Sequence, residues 1–252
     1  MAFELARKGC SVLLISRTLA KLEETKTEIS AKYPKIQVEI LDIDFSKYDE
    51  TSKKRIASAI AGKDVGVLIN NVGISYPFTK YFHELDDTSV EQLMTLNVNS
   101  TTNMTRLVLP GMVERKRGAI VNIGSAAGVT NSPLLAQYGA AKSYIAMFSK
   151  VLNSEYGPKG IDVQCQVPLF VATKLAKLKK TSLFVASPTA YARAAVASIG
   201  YDDLISPYWS HALQLWLLTA LPERISTAIT FSIHQDIRKR GMKKEAEKSK
   251  QN

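Results

Sequence analysis

The sequence predicts an α/β protein built on a doubly wound, mostly parallel sheet. Short β-rich runs alternate with helical patterns along the chain. Three of those runs are almost continuously apolar, as strands covered on both faces must be. The connections between them are long enough for crossover helices, which parallel pairing requires. A chain of 252 residues, 46% hydrophobic and 22% charged, can bury one sizeable core. Residues 1–235 read as a single domain, with no internal repeat or low-complexity linker to divide them.

The elements follow in order. "MAFELARKG" opens the chain as a helix ending at Gly9, a residue suited to a C-cap. The strand runs are "SVLLIS" (residues 11–16), "IQVEILDI" (36–43), "VGVLINN" (65–71), "GAIVNIGS" (118–125) and "IDVQCQVP" (161–168). After the first, Leu19, Leu22 and Ile29 recur at helical spacing. Long helical stretches cover residues 89–115 and 135–156. "HALQLWLLTAL" (211–221) is too short to span a bilayer and reads as a core helix, with a membrane-dipping segment as the alternative. Residues 236–252 read as a basic, disordered tail.

Charge and composition narrow the function. The net charge is +10, concentrated in the tail and in "KLAKLKK" (174–180). Such runs suit nucleic acid or an anionic membrane surface. No RNA-binding aromatic motif accompanies them, so the reading is no nucleic acid, with membrane association left open. Cys10 and Cys165 lie in apolar runs and read as buried thiols in a reducing compartment. His83, His211 and His234 are far apart, so no metal site is expected.

The chemistry concentrates in "NIGSAAGVTNSPLLAQYGAAKSYIAMFSK" (122–150). Ser125 ends an apolar run at the carboxyl edge of a strand, where α/β sheets place their ligands. Tyr138 follows thirteen residues later and Lys142 four after that. Residues four apart share a helix face, so the phenol and ammonium project together. A nearby ammonium favours the phenolate and lowers the tyrosine's pKa. Gly139, Ala140 and Ala141 between them let another surface approach closely. A second Tyr-x-x-x-Lys, "YPFTK" from Tyr76 to Lys80, lies in a loop without such a serine upstream and is expected to be inert.

With "NNVG" (70–73) ending an earlier strand and "LNVNS" (96–100) within a helix, these motifs resemble the short-chain dehydrogenase/reductase family. The likeness runs from residue 1 to about 240. "NNVGISYP", "QYGAAKSYIAMFSK" and "SPTAYARAAVASIG" resemble its microsomal branch of long-chain 3-oxoacyl-CoA and steroid reductases. The resemblance implies a Rossmann-like fold and NADP(H) as cofactor. It implies that Tyr138 donates a proton, Lys142 tunes Tyr138 and binds the nicotinamide ribose, Ser125 orients the carbonyl, and Asn97 holds a water beside Lys142. Arg17, after the first strand run, suits the 2′-phosphate of NADP. Asp44 matches the adenine contact, Asn70 and Gly73 the adenosine side, and Thr173 the nicotinamide amide. The usual Pro-Gly before Thr173 is Pro168-Leu169 here.

The implied substrate is a lipid, an acyl-CoA or a steroid. Residues 174–221 would cover it, with Lys174, Lys177, Lys179 and Lys180 attracting CoA phosphates. A homodimer through the two long helices is a further expectation. The ending "KSKQN" resembles a dilysine signal through Lys248 and Lys250, implying a cytosol-facing site on the endoplasmic reticulum. No G-x-G-x-x-G occurs, and the chain opens inside the helix that such a turn precedes. The expectation is therefore a fold truncated at its N-terminus. A non-catalytic family member is the alternative reading.

Overall fold

The computed structural model describes residues 1–173 and 181–250. The basic run at Lys174, Lys177, Lys179 and Lys180 lies outside the described residues. Helix α1 (Ala2–Arg7) leads to strand β1 (Val12–Ser16), helix α2 (Leu19–Lys32), strand β2 (Val38–Asp42), helix α3 (Glu50–Ile60) and strand β3 (Val67–Asn70). Helices α4 (Asp87–Met94) and α5 (Ser100–Arg115) precede strand β4 (Gly118–Ile123), helix α6 (Ala136–Tyr156) and strand β5 (Ile161–Gln166). Helix α7 (Pro188–Ala197), strand β6 (Leu204–Ile205), and helices α8 (Trp209–Ala220) and α9 (Glu223–Ser249) complete the described chain. Side chains that bond locally set several helix starts. Asp49 accepts from Ser52 N–H ahead of α3, and Asp86 from Ser89 N–H ahead of α4.

Every strand pair is parallel, as the long crossovers require. The strands form two pieces, β1–β2 and β3–β4–β5–β6. Among the described residues, β1 and β3 share no ladder, in keeping with the expected gap. One core still joins the pieces. Ile43 and Phe45, just after β2, pack with Leu96, Val108, Ile120 and Val163. The strand centres are heavily buried, with Ile120, Val121 and Ile161 fully enclosed. Burying one such side chain contributes about 1.5–3 kcal/mol.

Three expectations are corrected. Cys165 is fully buried, but Cys10 is exposed, because it falls in the α1–β1 connection before the strand begins. Residues 211–221 do not form a core helix. Only Ser210 and His211 of α8 are buried, and its opposite face is open. The tail is helical where disorder is expected: α9 runs on to Ser249. Specific docking explains the continuation. The Arg238 guanidinium bonds both carboxylate oxygens of Glu84, and Thr79 donates to the His234 carbonyl at 2.6 Å.

Candidate active site

The candidate residues collect beyond the carboxyl ends of the parallel strands. Arg17 follows β1, Asp44 follows β2, Gly73 follows β3, Ser125 follows β4 and Thr173 follows β5. Ser125 sits two residues past its strand and opens a tight turn, its hydroxyl accepting from Ala127 N–H at 3.2 Å. Tyr138 lies in the first turn of α6, with Lys142 one turn further on. The Ser125 hydroxyl reaches the Tyr138 phenol closely enough to favour its ionised form. The Lys142 ammonium lies 5.9 Å from the Tyr138 ring centre.

Close backbone packing seats Lys142. Gly128 touches the Lys142 backbone so tightly that a Cβ there would come within 2.5 Å of its carbonyl carbon. The lysine is buried, and its Nζ donates to the Ile123 carbonyl at 2.8 Å. Burial pushes its pKa down from 10.5 to about 8. Burial raises the Tyr138 phenol above its ordinary value, and the nearby Ser125 hydroxyl partly offsets that. The expectation that Lys142 lowers the phenol's pKa is thus not met here. The ammonium is turned toward a carbonyl and is itself destabilised by desolvation.

Asn97 occupies a widened π turn, Thr95–Asn99, between α4 and α5. Its amide donates to Leu93 and Ile74 carbonyls, both at 2.9 Å. Its Oδ1 is buried and has no protein partner. A Cβ on Gly73 would fall 2.6 Å from that oxygen and 3.5 Å from Lys142 Nζ. Gly73 is therefore where the chain makes room for Asn97 and Lys142 to converge.

The flanking residues divide. Arg17 is exposed, and its charge reaches Asp44. The Asp44 carboxyl is held below its usual range chiefly by the Ser46 hydroxyl and N–H, and further by Arg17 and Lys47. Asn70 is turned inward. Its amide donates to Asn122 at 2.8 Å and to Thr105 at 3.2 Å, and Asn122 donates in turn to Ser149. Both amide hydrogens are therefore spent tying β3 to β4 and α5. Thr173 stands at the edge of the described residues, its N–H bonded to the Val171 carbonyl at 2.7 Å.

Three supporting residues escape a reading of the sequence. Tyr76 is not inert: its buried hydroxyl accepts from Gln137 N–H at 2.9 Å, capping the helix that carries Tyr138. The His234 ring donates to the Pro133 carbonyl at 2.6 Å, bringing α9 to the same helix start. Between them, buried Leu134 adopts a left-handed φ of 67°, a strained conformation for a bulky residue. Its carbonyl accepts from Lys80 N–H. His211 clasps the loop after β5, accepting from Leu169 N–H at 3.4 Å and donating to the Phe170 carbonyl at 3.1 Å. The "YP" of "SYPFTK" and the lone histidines were the only available signals, and neither names its partner.

This fold and this Ser–Tyr–Lys arrangement define a nicotinamide-dependent oxidoreductase. The family model for short chain dehydrogenases matches residues 1–183, and the chain belongs to that family. Among named relatives, it is 43% identical to a very-long-chain 3-oxoacyl-CoA reductase-like protein of Arabidopsis thaliana, over 92% of this chain and 76% of that one. It is 39% identical to the human very-long-chain 3-oxoacyl-CoA reductase, over 96% of this chain and 78% of the relative. Among solved structures, a short-chain dehydrogenase from Sphingobium yanoikuyae in complex with NADPH is 28% identical, with a TM-score of 0.70 over 78% of this chain and 77% of that one. A 7beta-hydroxysteroid dehydrogenase superposes with a TM-score of 0.80 over 91% of this chain and 90% of its own, at 19% identity, a likeness of fold alone.

Proposed function

We propose that the chain reduces the 3-oxo group of a long-chain acyl-CoA, with NADPH as cofactor. The observation that carries the reading is the convergence of Ser125 and Tyr138, with Lys142 and Asn97 behind them. The names of the relatives support the substrate class. Arg17 supports the choice of NADPH, since a guanidinium suits the 2′-phosphate.

The residues present fit such a cofactor. Exposed Arg17 and half-buried Asp44, within electrostatic reach of each other, suit the adenosine end. Gly73 gives backbone close to Asn97, and the partnerless Asn97 Oδ1 suits an ordered water beside Lys142. Lys142 would hold the nicotinamide ribose, and Thr173 the amide. When bound, NADPH supplies the hydride.

Ser125 holds the substrate carbonyl oxygen beside Tyr138, and Tyr138 donates its proton to that oxygen. A phenol raised by burial is protonated at neutral pH, which suits the reductive direction. Lys142 returns a proton to Tyr138 from the Asn97 side. The test is turnover of a 3-oxoacyl-CoA with NADPH by the parent and by Tyr138→Phe. The variant should fold normally and lose at least about a hundredfold in rate. Retention of most activity would remove Tyr138 from the mechanism.

Two wider readings accompany this one. We propose a homodimer through α6, where Tyr144, Met147 and Val151 lie exposed on one face. Met147→Glu should then lower the sedimenting mass, and an unchanged mass would refute the interface. We also propose residence on the cytosolic side of the endoplasmic reticulum, from the lysines of "KSKQN". Lys248→Ser with Lys250→Ser should disperse a fluorescently tagged chain, and unchanged distribution would discard the signal.

A further inference from the structure

We infer, given the roles proposed for Ser125 and Thr173, that His211 is a positioning residue whose neutral ring pins the loop joining their two sides of the site. His211 is fully buried in the first turn of α8, a helix with no Asp, Glu, Lys or Arg. Two aromatic rings hold its orientation. Tyr208, ahead of α8, meets it edge-on with ring centres 5.1 Å apart, and Tyr191 of α7 lies 6.0 Å away. The two ring nitrogens then reach consecutive residues of the loop after β5. Nδ1 lies 3.4 Å from the Leu169 nitrogen, and Nε2 3.1 Å from the Phe170 carbonyl oxygen. An N–H can only donate and a carbonyl can only accept. A single tautomer therefore serves both, with the proton on Nε2 and a lone pair on Nδ1. An imidazolium has no such lone pair: its Nδ1–H would face the Leu169 N–H, and the clasp would open.

The clasped loop is where two parts of the site meet. The carbonyl of Pro168, just before Leu169, accepts from Ala126 N–H at 3.1 Å, and Ala126 follows Ser125. Beyond Phe170 the chain bridges from Val171 to Ala186 and reaches Thr173. Upstream, Val167 is anchored by its N–H on the Ile205 carbonyl and by its own carbonyl, which accepts from the Ser206 hydroxyl at 2.9 Å. The Phe170 carbonyl also accepts from Ala186 N–H at 3.1 Å, whereas the Leu169 N–H finds its acceptor in His211. No charged group presses on the ring among the described residues. Residues 167–173 hold no Asp, Glu, Lys or Arg, and the α7 cation, Arg193, is exposed and acts on Glu4. The groups that face His211 are thus the two phenols and the loop backbone. Burial lowers the ring's pKa from its ordinary 6.5, with the Phe170 carbonyl opposing that shift. The clasp is therefore closed at neutral pH and opens as pH falls below 6.5 through the lowered value.

Two replacements separate the hydrogen bonds from the packing. His211→Phe keeps a ring between the tyrosines and removes both bonds. His211→Gln offers an amide oxygen to Leu169 and an amide N–H to Phe170, and it does not titrate. One readout is protection of the Leu169 amide hydrogen against exchange, in the full chain without cofactor. The other is NADPH affinity by fluorescence titration, each followed across pH. At neutral pH His211→Phe should lose at least about fivefold in both, and His211→Gln should stay within about twofold of the parent. Below pH 6.5 the parent should lose protection and affinity more steeply than His211→Gln. Unchanged protection or unchanged affinity in His211→Phe would overturn the inference. So would identical pH profiles for the parent and His211→Gln. Failure of the parent to turn over a 3-oxoacyl-CoA while it still binds NADPH would count against the proposed function alone. If His211→Phe fails to fold, the comparison of the parent with His211→Gln across pH decides the matter.

Discussion

Replacing Tyr76 by Phe removes one oxygen atom and should still weaken the start of helix α6. The ring is 8% exposed and keeps its packing in the variant. What disappears is the acceptor for Gln137 N–H, 2.9 Å away. No side chain of the N-cap residue, Leu135, replaces it. Loss of an N-terminal cap costs about 0.5–2 kcal/mol, and a donor left unsatisfied about 1–3 kcal/mol. Gln137 is only half-buried, so water recovers part of the loss, and about 1–2 kcal/mol is expected. For a domain of this size that is a fall in Tm of roughly 2–8 °C. Tyr138 is the next residue along, so its hydroxyl should be less well placed and kcat should fall several-fold. The assay is thermal unfolding beside steady-state reduction of a 3-oxoacyl-CoA. A Tm within about 1 °C of the parent, with unchanged kcat, would show that the cap contributes nothing.

Other outcomes follow from the same geometry. Arg17→Asp should erase or reverse a preference for NADPH over NADH, and equal affinity of the parent for both cofactors would contradict the assignment. Lys142 is depressed from 10.5 to about 8, so the folded state disfavours its charge below about pH 8, and stability is regained as pH rises from there toward 10.5. Lys142→Met should therefore be the more stable form at pH 7, by at most about 3 kcal/mol, with the difference shrinking above pH 8. Melting curves across that range check the sign, and a difference independent of pH would refute it. A version extended at its N-terminus by a parallel strand and glycine-rich turn should melt several degrees higher and bind NADPH more tightly, because β1 and β3 share no ladder. Equal melting and equal cofactor titrations would mean that another segment serves those edges.

Legibility in this sequence follows the range of the interactions. Strands covered on both faces announce themselves as apolar runs, and β1 to β5 fall within the expected ones. Tyr138 and Lys142 are four residues apart on one helix, so their shared face follows from helical geometry alone. Ser125 was legible because the end of a parallel strand is a place, not only a position. The supports of that site depend on partners far along the chain. Tyr76 meets Gln137 across 61 residues, His234 meets Pro133 across 101, and Arg238 meets Glu84 across 154. No periodicity encodes such pairs, and "YPFTK" looks like a chance repeat of a motif until the helix it caps is seen. The tail shows the same limit from the other side. Its composition favours disorder, yet two bonds to Glu84 and one from Thr79 hold its helix against the body. The helix then carries His234 to the segment where Leu134 is strained and Tyr76 caps. The start of the catalytic helix is thus held from the loop after β3 and from the C-terminal helix together, so changes in α9 far from Ser125 should register first in the placement of Tyr138.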